Sequence, residues 1–308
     1  MSAPAGKRRD LQPVNGLLLL DKPAGITSNQ ALQKAKRLLK ARKAGHTGSL
    51  DPAATGMLPL CFGEATKVCA YLLDADKTYR VVAKLGESTD TGDADGTITG
   101  NAAVPDIDER RWREVFAAFE GEIMQVPPMY SALKQDGKRL YELARQGIEV
   151  ERKARKVRIY ALDLLEASGS RLAFRVRCSK GTYVRTLVED LARQVGTIAH
   201  TVSLHREAVA GFAASQMRGF DALETLDEAG LQACLLPVDQ ALQHWPACRL
   251  TEAEAMLFMQ GQAVAASDSG PRAGDLLRAY GAQGTFLGIA MATGDGRLAP
   301  KRLFHLSS

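Results

Sequence analysis

Gly45-His46-Thr47-Gly48-Ser49-Leu50-Asp51-Pro52-Ala53-Ala54-Thr55-Gly56-Met57-Leu58-Pro59 holds a single carboxylate in a run of turn-forming residues. Glycine and proline at this density exclude a helix or a central strand, so the stretch reads as a loop. Loops held by a rigid scaffold are where chemistry concentrates. Just upstream lie six bases and no acids: Lys34, Lys36, Arg37, Lys40, Arg42 and Lys43. An isolated acid beside positive charge suggests a carboxylate that works on a polyanion. The neighbouring bases should keep it ionised at neutral pH.

Outward from this loop the elements follow from periodicity. Gly16–Leu20 reads as a short buried strand stopped by Asp21-Lys22-Pro23-Ala24-Gly25. Thr27 or Ser28 can cap a helix reaching about Lys43, with Ala31, Leu32, Ala35, Leu38 and Leu39 on its apolar side. Thr78–Leu85 alternates, placing Tyr79, Val81, Ala83 and Leu85 on one face. Asp108–Glu120 predicts a helix and Lys156–Leu165 a strand. In Arg171–Cys178, Leu172, Phe174, Val176 and Cys178 face in, and Arg171, Ala173, Arg175 and Arg177 face out. A helix is predicted over Tyr183–Val195.

A second unit begins near Pro246. A short helix, Thr251–Met259, precedes glycine-punctuated strands at Leu276–Tyr280, Thr285–Met291 and Arg297–Phe304, the pattern of a small β-barrel module. Residues 1–12 read as a disordered basic tail. The fold class is α/β (α+β): a mixed, largely antiparallel sheet flanked by helices, with the small β module at the C-terminus.

At 308 residues and 45% hydrophobic content the chain can bury a real core, as one large domain or two. A net charge of +5 is only mildly basic, so the placement of charge matters more than its sum. Five widely spaced cysteines without a CxxC pair indicate neither a zinc site nor a disulfide framework, and reduced thiols suit a cytoplasmic protein. The start has no apolar core of a signal peptide, and Leu17–Leu20 is far too short to span a membrane. Phosphate-binding glycine loops and metal-hydrolase motifs are absent. The run Asp90-Thr91-Gly92-Asp93-Ala94-Asp95-Gly96 imitates a calcium loop, but Thr91 and Ala102 fall where the first ligand and the bidentate Glu belong, so it reads as a turn.

Each candidate for chemistry has a plainer reading. Asp51 precedes a proline and could simply cap local amides. Arg185, following Lys180-Gly181-Thr182-Tyr183-Val184, could be a surface arginine. The helix dipole disfavours it in a first turn, and a carboxylate partner would explain it. Tyr79 is a core aromatic or a platform for a base ring. His46 is a hydrogen-bonded loop histidine or fills the space left by a displaced nucleotide. Lys134–Arg158 carries nine Lys or Arg against four acids. Tyr130 and Tyr141 interleave with these bases, which suits RNA better than a merely solvated face.

The segments Gly16-Leu-Leu-Leu-Leu-Asp-Lys-Pro23, Gly45–Pro52, Lys77-Thr-Tyr-Arg-Val81, Pro127-Pro-Met-Tyr-Ser-Ala-Leu-Lys134 and Lys180–Arg185 occur in order and resemble the bacterial TruB family, the tRNA pseudouridine-55 synthases. Residues from about 247 resemble that family's PUA-type RNA-binding module. The resemblance implies a catalytic domain over 13–246 with an RNA-clamping segment at 127–158, and a PUA-like module over 247–308. It makes Asp51 the catalytic aspartate, paired with Arg185. Tyr79 would stack on the target uracil, His46 would hold the flipped nucleotide and Leu204 would pack on the ring. Lys22 and Tyr183 fall in pocket motifs. RNA contacts are expected from Lys34, Arg37, Lys40, Arg42 and Lys43, and from Tyr130, Lys134, Lys138, Arg139, Arg145, Arg152 and Lys153. Where the family carries Leu-Arg-Arg this chain has Leu204-His205-Arg206, which puts any role of the middle position in doubt. The implied partner is the T-arm of tRNA, with no cofactor, no metal, no membrane and no obligate protein partner, and the chain is expected to be a monomer. Two rivals remain at this point: an RNA-binding protein without catalysis, and a related synthase acting on ribosomal RNA.

Overall fold

The computed structural model describes residues 11–135, 137–266 and 271–306. Strand β1, Gly16–Lys22, is the end strand of the main sheet yet buries every one of its leucines, since both its faces are packed and its outer edge is bridged by Leu236 and Arg218. Helix α1, Ser28–Leu38, starts at a Thr27–Gln30 capping box and buries Ala31, Leu32 and Ala35. It stops short of the expected Lys43. Lys40 takes a left-handed φ of 48°, Ala41 N–H donates to Lys36 O at 3.0 Å, and Lys40 N–H donates to Arg37 O at 3.2 Å. This Schellman closure turns the chain into a short strand, β2, Ala44–His46.

The Asp51 loop is shorter than the sequence predicts. Strand β3, Thr55–Phe62, starts only four residues after the aspartate and lies between β1 and a late strand of the chain. Its Gly56 and Pro59 were read as strand breakers. Pro59 is tolerated because its carbonyl accepts the Thr47 N–H at 3.1 Å, so its missing N–H faces the side where β3 changes neighbour. Gly56, at φ 97°, lies against the Arg206 backbone, and a Cβ there would stand 2.4 Å from Arg206 O.

A 3₁₀ turn, Gly63–Val68, and helix α2, Cys69–Leu73, lead to β4, Lys77–Leu85, whose alternation matches the expectation. The hairpin β5 (Glu87–Thr89) and β6 (Ile98–Asn101) carries the acidic run as a turn. Helix α3, Glu109–Phe119, capped by Asp108, buries Trp112, Val115 and Phe116. Strand β7 (Gly121–Gln125), the hairpin β8 (Lys134–Gln135) and β9 (Lys138–Arg139), and helix α4 (Leu140–Ala144) follow. Strands β10 (Arg155–Ser168) and β11 (Arg171–Cys178) pair antiparallel. Ala173, expected outside, is 2% exposed, because a methyl group cannot clear its cross-strand neighbours Val82 and Glu166. Helix α5, Val184–Gln194, precedes β12, Ala199–Val209, a central strand that the sequence reading missed. Two short helices follow, α6 (Phe220–Glu224) and α7 (Glu228–Ala233).

The main sheet runs β1-β3-β12-β4-β11-β10-β7, with β2 beside β3. All its pairings are antiparallel except β3 with β12. Helices α3 and α5 cover one face, sharing a core with Tyr79, Val81, Phe174 and Leu187.

The C-terminal unit comprises β13 (Ala247–Arg249), helix α8 (Glu252–Met259), β14 (Val264–Ala265), β15 (Leu276–Tyr280), β16 (Phe286–Ala292) and β17 (Arg297–Leu303). Its sheet order is β13-β15-β16-β17-β14. It is not a loose appendage: Phe286, Ile289 and Phe304 share a buried cluster with Leu17, Met57 and Val238. Lys67 Nζ donates to Leu303 O at 2.8 Å, and His305 N–H donates to Glu64 at 2.9 Å.

The basic tail lies outside the described residues as far as residue 10. Gln12 already belongs to the folded body, donating its N–H to Lys40 O at 2.8 Å. Among the described residues no helix is long and apolar enough to cross a membrane. All five cysteines are free.

Candidate active site

Asp51 stands on the loop between β2 and β3, with its side chain 46% exposed. The loop is anchored on several sides. Ser28 accepts the Leu50 N–H at 2.8 Å and donates back to Leu50 O at 3.1 Å. Gly25 N–H donates to Pro52 O at 2.9 Å. Lys22, 0% exposed at the end of β1, donates to Pro23 O, Ile26 O and Pro52 O at 2.8, 2.8 and 3.2 Å. Lys22 therefore fixes backbone within the pocket wall.

Arg185, in the first turn of α5, is 6% exposed. Its Nε lies 3.1 Å from Asp51 Oδ2 and its Nη1 3.5 Å from Asp93 Oδ2. Nη1 also donates to Thr91 O at 2.6 Å and Nη2 to Tyr130 O at 2.7 Å. One planar guanidinium thus joins three chain segments to α5, which a lysine could not do. The start of α5 is itself fixed: Gln125, buried on β7, accepts the Tyr183 N–H at 2.7 Å and donates to Tyr183 O at 3.0 Å.

Burial pushes the Asp51 carboxyl up, while Arg185 pulls it down, Asp93 pushes it up again and Lys22 pulls it down. The strongest charges on it come from Arg185, Asp93 and Lys22, and the net effect is upward, where the upstream bases alone would have pulled it down. Three of the upstream bases have other engagements. Lys34 pairs with Glu224 at 2.8 Å, Lys40 with Glu228 at 2.9 Å, and Arg42 donates to Leu11 O at 2.8 Å.

A narrow cleft of about 20 Å³ opens beside Asp51, lined by Ala53, Asp93, Arg185, Thr201 and Leu204 among others. That is room for roughly one water, so a base ring must open it further. Tyr79, buried on β4, shares a core cluster with Leu50 and Ala54, the residues flanking the Asp51-Pro52-Ala53 turn. Burial raises its phenol, and the Arg206 charge opposes this. The buried Nδ1 of His46 has no hydrogen-bond partner among the described residues. Burial, followed by the Arg206 charge, lowers its pKa. His205 pairs through Nδ1 with Thr55 Oγ1 at 2.8 Å, in a groove on the sheet face opposite the one that carries Tyr79.

The structure thus brings together Asp51, Arg185, Lys22 and Leu204, with Tyr79 beside the loop. It adds Asp93, Gln125 and Arg206, which the sequence reading missed. Asp93 lay in the acidic run dismissed as a turn, and the only signal for it was three acids facing a basic chain. Tyr130 enters through its carbonyl. Its segment carries the hairpin β8–β9 and α4, with Arg139 and Arg145 flanking the Tyr141 ring at 5.8 and 5.5 Å. Arg152 pairs with Glu149 at 3.0 Å. Lys134, Lys138, Arg139, Arg145 and Lys153 have no carboxylate partner among the described residues.

Lys22 offers a measurable signature. Burial lowers its ammonium from 10.5 to about 8. Between these values the unfolded chain holds a proton that the folded chain has lost, so the contribution of Lys22 to stability rises with pH from about 8 to about 10.5. Thermal melts across that range should show wild type gaining on Lys22→Met as pH rises. Parallel curves would contradict the burial of this charge.

Known proteins share this fold and much of this sequence. The fold is shared with a chain of a Cbf5-Nop10-Gar1 complex, at a TM-score of 0.73 and 24% identity over 98% of this chain and 92% of that one. It is also shared with a chain in an H/ACA RNP bound to a substrate RNA containing 2′-deoxyuridine, at 0.71 and 22% over 97% and 93%. Three family profiles match in succession. They are the TruB family pseudouridylate synthase N-terminal domain over residues 36–184, the tRNA pseudouridylate synthase B C-terminal domain over 185–243, and the pseudouridine synthase II TruB C-terminal profile over 246–304. The class is therefore that of the pseudouridylate synthases. Within it, the chain belongs to the TruB family. It is 50% identical to the tRNA pseudouridine synthase B of Chromohalobacter salexigens, over 98% of each chain. It is 52% identical to that of Dechloromonas aromatica, over 97% of this chain and 99% of the relative.

Proposed function

We propose that this enzyme isomerises the T-loop uridine of tRNA, at position 55, to pseudouridine, with Asp51 as the essential carboxylate. The observation that carries the reading is the half-exposed Asp51 carboxylate held 3.1 Å from the buried Arg185 guanidinium. The names of the relatives supply the substrate class. In this reaction the bond between uracil N1 and ribose C1′ breaks, the base rotates, and C5 bonds to C1′. The C5 proton is lost and N1 regains one. No redox change or net hydrolysis occurs, so none of these steps calls for a cofactor.

The target must first leave its stack, at a cost of a few kcal/mol. Tyr79, His46 and Leu204 offset this by stacking and packing on the displaced nucleotide. Two steps are open to Asp51: attack on C1′ as a glycosidase carboxylate does, or removal of a ribose proton to give a glycal. Arg185 orients it in either case. Residues 13–246 carry the chemistry, and 247–308 form the RNA-binding module. The enzyme acts in the cytoplasm as a monomer without an obligate protein partner, since RNA supplies the partner surface.

The T-arm is clamped mainly through phosphates, by Arg37 and Lys43 beside the loop and by Lys134, Lys138, Arg139, Arg145 and Lys153 of the 127–158 segment. Lys34, Lys40, Arg42 and Arg152 contribute less, because each is already engaged. Affinity for a T-arm stem-loop should fall at least about tenfold between 50 and 200 mM salt. An affinity unchanged by salt would refute the clamp.

The direct test is release of tritium to water from a T-arm stem-loop labelled at uridine C5. Release establishes the isomerase. Binding without release would favour an RNA-binding protein, and release from ribosomal RNA alone would favour the other rival.

A further inference from the structure

Arg206 on β12 is 1% exposed, and no carboxylate lies within ion-pair distance of it among the described residues. A buried guanidinium without a counter-charge is costly, and well-packed apolar side chains commonly replace such groups without loss of stability. Its partners indicate why it stays. Nε donates to Met57 O at 2.6 Å and Nη2 donates to Gly48 O at 3.1 Å. Gly48 lies near the start of the Asp51 loop and Met57 lies in β3, just past its far end. Gly56 lets the β3 backbone cross the Arg206 backbone, where a Cβ would collide with it, and Gly48 supplies a left-handed φ of 82° beside the guanidinium. In register Arg206 sits opposite both Gly56 and Tyr79.

We propose that Arg206 is a positioning residue for Asp51: one edge of its guanidinium ties Gly48, near the start of the Asp51 loop, to Met57 in β3 and so sets where the carboxylate stands against Arg185. The proposal rests on the reading of Asp51 as the catalytic group. The planar fork makes this specific, because a lysine keeps the charge but cannot fix two carbonyls at once in a rigid plane. The effect belongs to the chemical step, since a displacement of about 1 Å in a reacting group costs about 10²-fold in rate.

The experiment compares wild type, Arg206→Lys and Arg206→Met on a C5-tritiated T-arm stem-loop, with amide exchange followed in parallel. Arg206→Met should lose about 100-fold or more in kcat with KM within threefold, and Arg206→Lys should recover part of that loss. Amide exchange should accelerate in residues 48–57 while β1 and β4 keep wild-type protection. A folded Arg206→Met enzyme with wild-type kcat would overturn the proposal. So would a loss confined to KM, or faster exchange spread over the whole sheet. Should Arg206→Met fail to fold, Arg206→Lys decides the matter by the same readouts. Wild-type turnover near background would instead sink the reading of Asp51, while the exchange pattern still judges the clamp.

Discussion

Asp51→Asn is expected to bind the T-arm as tightly as wild type and to release no tritium from uridine C5, a loss of at least about 10⁴-fold. The substitution is isosteric, so the anchors at Ser28, Gly25 and Lys22 remain. Arg185 loses one counter-charge but keeps Asp93, Thr91 O and Tyr130 O, so the fold holds. RNA affinity should hold or rise, because an acid leaves a cleft that faces phosphates. The loss must then lie in the chemistry. A mutant turning over within tenfold of wild type would remove Asp51 from the mechanism, whichever of its two steps is the true one.

Arg185→Met should cost about 10³-fold in kcat and shift the acidic limb of the rate profile to higher pH. Arg185 opposes the effect of burial on Asp51, and Asp93 works in the other direction. Without the guanidinium two carboxylates face each other, so the Asp51 carboxyl moves further up and loses its charge sooner as pH falls. Thr91 O and Tyr130 O also lose their donor, and breaking a buried pair of this kind costs about 3–5 kcal/mol. Melts should therefore fall along with the rate. A rate loss with an unmoved pH profile would mean that Arg185 acts on RNA and leaves the ionisation of Asp51 alone.

The sequence was most legible where one rule acted alone. Strands β4 and β15 bury one face and so alternate cleanly, and both were read within a residue of their ends. The aspartate stood out because no other acid shares its loop. Other features resisted for physical reasons. Strand β3 carries Gly56 and Pro59, which serve a close backbone crossing and a change of neighbour but look like breakers in one dimension. Strand β12 has two register shifts, so its alternation is interrupted. The charges near Asp51 could not be found by looking along the chain. Arg206 reaches Met57 across 149 residues and Arg185 reaches Thr91 across 94, while the bases next to the loop in sequence turn to α6, α7 and the Leu11 carbonyl.

The parallel pairing of β3 with β12 rests on two positions, His205 with Thr55 and Arg206 with Gly56, and the side-chain bond across it spans 150 residues. Closing so large a loop costs more chain entropy than forming a local hairpin. On the ribosome, the aspartate is made early and waits. Strands β1 and β3 can pair once both have emerged, but the loop between β2 and β3 keeps one unsecured edge until β12 is synthesised and docks. A chain truncated before β12 therefore carries Asp51 on a loop that lacks both the strand pairing at Thr55 and Gly56 and the side chain that holds Gly48 and Met57.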